Sequence, residues 1–172
     1  AAFNQARTDD GRTPLYVAAE NGDTKIVGLL IGADSGAAVN QARTDIGATP
    51  LNAAAVQGRT EVARLLISSG AAVNQARTDD GATPLYVAAQ EGHAEVVSIL
   101  IGGAAAVNQA RTDDGTTPLY IAAQEGHTEV MSMLIVNGAA VNQARTDIGA
   151  TPLFTAAQEG HTEVARLLIS SG

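Results

Sequence analysis

Residues 83–100 read Thr-Pro-Leu-Tyr-Val-Ala-Ala-Gln-Glu-Gly-His-Ala-Glu-Val-Val-Ser-Ile-Leu, and this stretch decides the fold. Thr83 offers a hydroxyl to the free N–H groups that begin a helix, and Pro84 brings the fixed φ that suits a first helical position. A helix over LYVAAQE follows. Gly92 interrupts it, and a second helix runs through EVVSILI, with Val96, Val97, Ile99, Leu100 and Ile101 at helical spacing. The product is a short helical hairpin, which needs a neighbour to cover its apolar faces.

The neighbours are copies of itself. TPL recurs beginning at Thr13, Thr49, Thr83, Thr117 and Thr151, and NQARTD recurs with its Arg at Arg7, Arg43, Arg77, Arg111 and Arg145, at spacings of 36, 34, 34 and 34. A fixed period of this length marks a solenoid. The register predicts one domain over 1–172, cut into units 1–36, 37–70, 71–104, 105–138 and 139–172. Ala88-Ala89 has counterparts at Ala18-Ala19, Ala54-Ala55, Ala122-Ala123 and Ala156-Ala157, small enough for helices of adjacent units to approach to roughly 8–10 Å. After the second helix, Gly36, Gly70 and Gly138 stand where a left-handed cap is wanted. Ala104 replaces that Gly in the third unit, so neighbouring Gly103 is expected to take the left-handed position, and Ala33-Asp34 reads as an insertion in the first unit. An extended arm, AAVNQARTDDG, then links one hairpin to the next.

These residues resemble the ankyrin repeat. TPLYVAAQ stands where that family has TPLH-x-AA, GHAEV where it has G-H-x-E, and the ending Gly-Ala-x-Val-Asn recurs across the chain. The resemblance implies an all-α solenoid of five stacked helix–turn–helix units with projecting hairpin-like fingers, and a concave face, made by fingers and first helices, that binds other proteins. The unit is a 34-residue variant of the usual 33, with its extra residue between Asn74 and Thr83, which predicts a finger longer or bulged at its tip. Tyr16, Asn52, Tyr86, Tyr120 and Phe154 take the place of the family's His. The rings are expected to pack between fingers, with contact to a partner as the other reading.

Composition narrows the function. Apolar residues make up 45% of the chain and aromatics 3%, so aliphatic and alanine packing must build the core. Eighteen acidic residues against ten basic ones give a net charge of −8, which disfavours nucleic acid and anionic membrane surfaces as partners. With no cysteine there is no disulfide framework, and no apolar run approaches the roughly 20 residues of a membrane span. The start lacks the profile of a signal peptide, so a cytoplasmic location is the default expectation.

No catalytic constellation is legible. No nucleophile elbow, phosphate loop or dinucleotide fingerprint occurs, and the carboxylates recur periodically instead of converging, so the chain is expected to be no enzyme and to take no cofactor and no metal. His93, His127 and His161 each stand in GHxE. Equivalent positions in stacked units lie roughly 8–10 Å apart, whereas zinc ligands sit about 2.0–2.2 Å from the ion. They are therefore expected to be turn or helix-start residues. The Arg-Thr-Asp of each finger, Arg7/Asp9 through Arg145/Asp147, is expected to form a charge ladder across fingers, with partner docking as the alternative.

Partner recognition is expected where units differ. At the finger tips these positions are Asp10, Ile46, Asp80, Asp114 and Ile148, followed by Arg12, Ala48, Ala82, Thr116 and Ala150, none with an obvious core duty. At the ends of the first helices they are Glu20, Asn21, Val56, Gln57, Gln90, Glu91, Gln124, Glu125, Gln158 and Glu159, which by resemblance line the concave face. The second unit departs most, at Ile46, Asn52, Val56 and Arg59, and is expected to hold a contact hot spot. The function predicted is therefore a protein–protein interaction module. Alternatives are end-to-end self-association, since neither end looks capped, a non-catalytic segment of a larger effector or enzyme, and a designed scaffold. Five whole units without caps predict a segment of a longer array.

Overall fold

A computed structural model of the 172-residue chain describes residues 2–32 and 38–172. Gly36 and the Ala33-Asp34 insertion lie outside the described residues. After a single 3₁₀ turn at Ala2–Asn4 come five helix pairs: α1 Pro14–Asn21 and α2 Thr24–Ile31, α3 Pro50–Val56 and α4 Thr60–Ser68, α5 Pro84–Gln90 and α6 Ala94–Gly102, α7 Pro118–Glu125 and α8 Thr128–Val136, α9 Pro152–Gln158 and α10 Thr162–Ser171. No strand occurs among the described residues. The fold is an all-helical solenoid.

Each first helix starts as its sequence dictates. Thr83 keeps an extended backbone, its Oγ1 accepts from the Tyr86 N–H at 3.1 Å, and Pro84 opens α5. Thr13, Thr49, Thr117 and Thr151 do the same for α1, α3, α7 and α9. The helices α4, α6 and α8 end through a residue in the left-handed region. Gly70 and Gly138 serve α4 and α8, and at α6 Ala104 itself has φ +66° while Gly103 sits at −83°. The expected transfer to Gly103 is thus corrected. The Ala105 N–H reaches the Leu100 carbonyl at 3.0 Å, as Ala71 reaches Leu66 at 2.9 Å, so closing this cap fixes the left-handed position one residue later.

First helices pack on first helices, second on second, and each pair closes on itself. The alanine pairs make this possible: Ala54, Ala55, Ala88, Ala89, Ala122 and Ala123 are fully buried between neighbouring first helices. Leu51, Leu85 and Leu119 fill the next layer, with Leu66, Leu100 and Leu134 from the second helices. A buried leucine contributes about 1.5–3 kcal/mol over an exposed one. Leu153, the counterpart of Leu119, is 36% exposed where Leu119, covered by the next pair, is 1%. The same residue type at the same register changes environment solely through its neighbour.

The arm before each pair is fastened to the arm after it. Asn74 receives the Ala106 N–H on Oδ1 at 2.7 Å and donates Nδ2 to the Ala104 carbonyl at 3.2 Å, and Asn40 and Asn108 repeat both bonds. At each tip the chain doubles back in a closed loop. In the third finger Arg77 N–H reaches the Ala82 carbonyl at 2.9 Å, and Gly81, with φ +77°, makes the reversal.

Candidate functional site

Successive fingers are joined by one backbone bond each: Thr44, Thr78, Thr112 and Thr146 donate N–H to the carbonyls of Asp10, Ile46, Asp80 and Asp114 at 2.9–3.2 Å. The charge ladder is built differently from the expectation. The Asp of each Arg-Thr-Asp pairs with the Arg of its own finger, as Arg43 does with Asp45 at 2.6 Å and Arg145 with Asp147 at 2.7 Å. Crossing to the neighbour falls to the next acid: Arg111 lies 3.7 Å from Asp80, and Arg145 lies 3.3 Å from Asp114. The Arg partners hold the Asp45, Asp79 and Asp147 carboxyls below the ordinary carboxylate range. Burial pushes Asp114 upward, yet hydrogen bonds from Thr116 and the charges of Arg111 and Arg145 leave it lowered.

The rings do pack between fingers. Tyr16, Tyr86 and Tyr120 are buried, and the guanidinium of the next finger lies over each, with Arg43, Arg111 and Arg145 at 5.5, 5.4 and 5.7 Å from the ring centroids. Phe154, with no finger arginine over it in this structure, is 58% exposed.

The histidines stand at the N-cap of their helices, in keeping with a helix start, yet none caps its own helix. Each turns to the preceding pair. His93, His127 and His161 donate Nε2–H to the carbonyls of Val56, Gln90 and Gln124 at 3.0, 2.9 and 2.9 Å, which fixes the tautomer because a carbonyl only accepts. The imidazole lies against a glycine: a Cβ at Gly92 would stand 2.7 Å from His127. Arg59 performs this duty in the second pair, donating Nε–H to the Glu20 carbonyl at 3.2 Å. In the first pair Asp23 stands at this position and caps α2, accepting from the Ile26 N–H at 3.0 Å. No group of three or more metal-ligating side chains stands together among the described residues.

The candidate contact residues fall into three sets. Ala48 and Thr116 are 3% and 2% exposed, so they present no surface to a partner and leave the set; their small size is what the tip requires where it meets the first helix. Asp10, Asp80 and Asp114 are half-buried and accept the backbone N–H two residues on, at 2.9–3.0 Å, so the tip acids have a structural duty. Arg12, also half-buried, pairs with Asp10 at 2.8 Å and with Glu20 at 3.1 Å. Ile46 is half-buried against Tyr16, Ala48 and Ala53, whereas Ile148 is 66% exposed. The third set is a row along the first-helix ends. There Asn21, Gln57, Gln90, Glu91, Glu125, Gln158 and Glu159 are exposed, with Glu20, Val56 and Gln124 half-buried among them. Of the proposed hot spot, Asn52 and Arg59 serve the fold: Asn52 is 1% exposed and completes a capping box with Thr49.

Sequence reasoning missed the inter-pair carbonyl bonds. The signal was present, because the position holds a donor, Arg59, His93, His127 and His161, in the second to fifth pairs, and Asp23 in the first.

A family profile described as ankyrin repeats (3 copies) matches residues 1–77, 29–110, 71–145 and 104–172. A search of the curated proteins finds no match. No helix among the described residues is long and apolar enough to cross a membrane.

Proposed function

The chain belongs to the ankyrin repeat family, and from that premise we propose that it binds a partner protein along the face formed by finger tips and first-helix ends. Ankyrin repeats are generally protein–protein interaction modules, and the family is typically non-catalytic. One observation carries the reading. At the pair-to-pair junctions the recurring polar groups are spent on stacking, while the first-helix ends leave a continuous outward row free of that duty, with Glu20-Asn21 in the first pair, Val56-Gln57 in the second and Gln-Glu in the last three. A stack needs identity to propagate, and recognition needs difference.

The test uses the intact chain as bait, followed by calorimetry with the partner it retains. Placing positive charge on the row with Gln90→Arg, Glu91→Arg and Glu125→Arg should weaken binding by about tenfold or more with unchanged thermal unfolding. Arg64→Glu, on the exposed outer face of α4, should leave it intact. A partner lost through Arg64→Glu and kept by the row variant would refute this face.

A second reading, head-to-tail association of this chain, is favoured by the apolar residues at its two ends. Ile26 and Leu29 are 46% and 77% exposed in the first pair, and Phe154 and Ile169 are 58% and 69% exposed in the last. Light scattering separates the readings: open-ended stacking gives a mass that keeps rising with concentration, and a binding module gives a fixed one.

A further inference from the structure

The row of rings under the finger arginines is interrupted once. Tyr86 and Tyr120 lie beneath Arg111 and Arg145, but beneath Arg77 stands Asn52, too short to fill the place of a ring. A cavity of about 60 Å³ remains, lined among others by Tyr16, Glu20, Ile46, Asn52, Val56 and Arg77. A water needs roughly 10–15 Å³ by the same measure, so the space suits a group the size of a carboxamide or a carboxylate.

Asn52 is held in one orientation. Its Oδ1 accepts from the Thr49 N–H at 2.9 Å and from Thr49 Oγ1 at 2.8 Å, and a flipped amide would set an NH₂ group against the Thr49 N–H. Nδ2 is therefore left as the free end of the amide. It is buried, on a residue 1% exposed, and no described residue accepts from it. A buried donor without an acceptor is costly, and a ligand that supplies one is rewarded. Two groups on the wall decide which acceptor fits. Arg77 is already engaged by its own finger, at 3.5 Å from Asp80 and closer to Asp79, so it has little call for a further anion. Glu20, held by Arg12 at 3.1 Å, contributes a carboxylate that would repel an incoming one and would accept from an incoming NH₂.

We propose that this cavity is a subsite for a side-chain carboxamide, a Gln or Asn of the bound partner, whose carbonyl accepts from Asn52 Nδ2 and whose NH₂ donates to Glu20. The inference rests on the partner-binding reading above and adds a residue preference to it. An apolar side chain would leave Nδ2 unpaired, and an acidic one would face Glu20.

Selection of random extended peptides on the wild-type chain, repeated on Asn52→Tyr, tests it. The expected peptides carry a Gln or Asn whose replacement by Glu costs about tenfold or more in affinity, and they lose a similar factor on Asn52→Tyr, where a ring fills the cavity. Peptides that bind without any amide, or equally well to Asn52→Tyr, overturn the subsite and leave the interaction module standing. A selection that enriches nothing overturns both. A direct readout needs no variant: titrating propionamide into the ¹⁵N-labelled chain should shift the Asn52 side-chain NH₂ resonances saturably, and propionate should not. Equal shifts with both, or none with propionamide, refute the assignment.

Discussion

The junction between the third and fourth pairs and the junction between the second and third are built on the same plan and completed to different degrees. At the former, Thr112 bonds the Asp80 carbonyl, His127 bonds the Gln90 carbonyl, Arg111 covers Tyr86, and Arg111 faces Asp80. At the latter the two bonds to main-chain carbonyls survive, from Thr78 to Ile46 and from His93 to Val56. The two that need particular side chains on the earlier pair do not, because Asn52 stands for the ring and Ile46 for the acid. A contact that ends on a carbonyl asks nothing of the residue that carries it, so the stack holds its geometry while its surface sequence drifts.

The largest effect expected comes from breaking the complete junction at its finger. Gly81 has φ +77°, and a Cβ there would stand 2.5 Å from the Thr112 nitrogen, whereas at Gly149, with φ +69°, it would meet nothing within 4 Å. Gly149→Ala should cost only the left-handed strain of about 1–2 kcal/mol. Gly81→Ala adds a backbone collision and should cost roughly 3 kcal/mol or more; chemical denaturation of both variants reads the difference, and equal losses would mean the fingers are not in contact. Next in size is His127→Ala, which strands the Gln90 carbonyl and should destabilise by about 1–2 kcal/mol.

Repairing the incomplete junction is the complementary test. Asn52→Tyr restores a ring beneath Arg77 and should stabilise by about 0.5–2 kcal/mol, since Thr49 caps its helix without needing the box. A smaller gain of about 1 kcal/mol is expected from Ala104→Gly, which relieves the left-handed alanine; an unchanged melting temperature would argue against that φ. Acid should produce the smallest contrast. The Asp114 pKa is lowered in the folded chain, so its contribution is fully present above its unfolded value of about 3.9 and is lost as pH falls through the folded value. Asp114→Asn should flatten the loss of melting temperature below that pH, and Asp45→Asn, whose finger has no neighbouring acid to bridge, should do so less.

Much of this was legible from spacing. Thr-Pro starts, the glycine between helices and the alanine pairs act within a few residues or through register, and the repeat itself announced the stack. What acts between pairs was harder to read, because His93 and the carbonyl it meets are 37 residues apart and a carbonyl leaves no trace in residue type. The finger tips were misjudged for a related reason. Ala48, Ala82, Thr116 and Ala150 vary little in size, and that smallness was the mark of burial, whereas Asp10, Asp80 and Asp114 looked variable only because two of five tips dispense with the acid. The row of first-helix ends was visible as variation, but the cavity beside Asn52 depends on where Thr49 holds an amide.

The junctions also share a direction. Donors and guanidinium groups turn back toward the preceding pair, and carbonyl oxygens face forward to the next, joined by a ring or a carboxylate wherever the earlier pair carries one. A surface of that kind works like the stud and socket of a building brick. Bricks can be added or withdrawn in whole steps, and lifting out residues 105–138 would bring Arg145 over Tyr86 and His161 to the Gln90 carbonyl, a seam with the same mates as before. Turning one brick end for end would set donor against donor. The number of bricks is thus free to change during descent by duplication and loss, while their heading is locked.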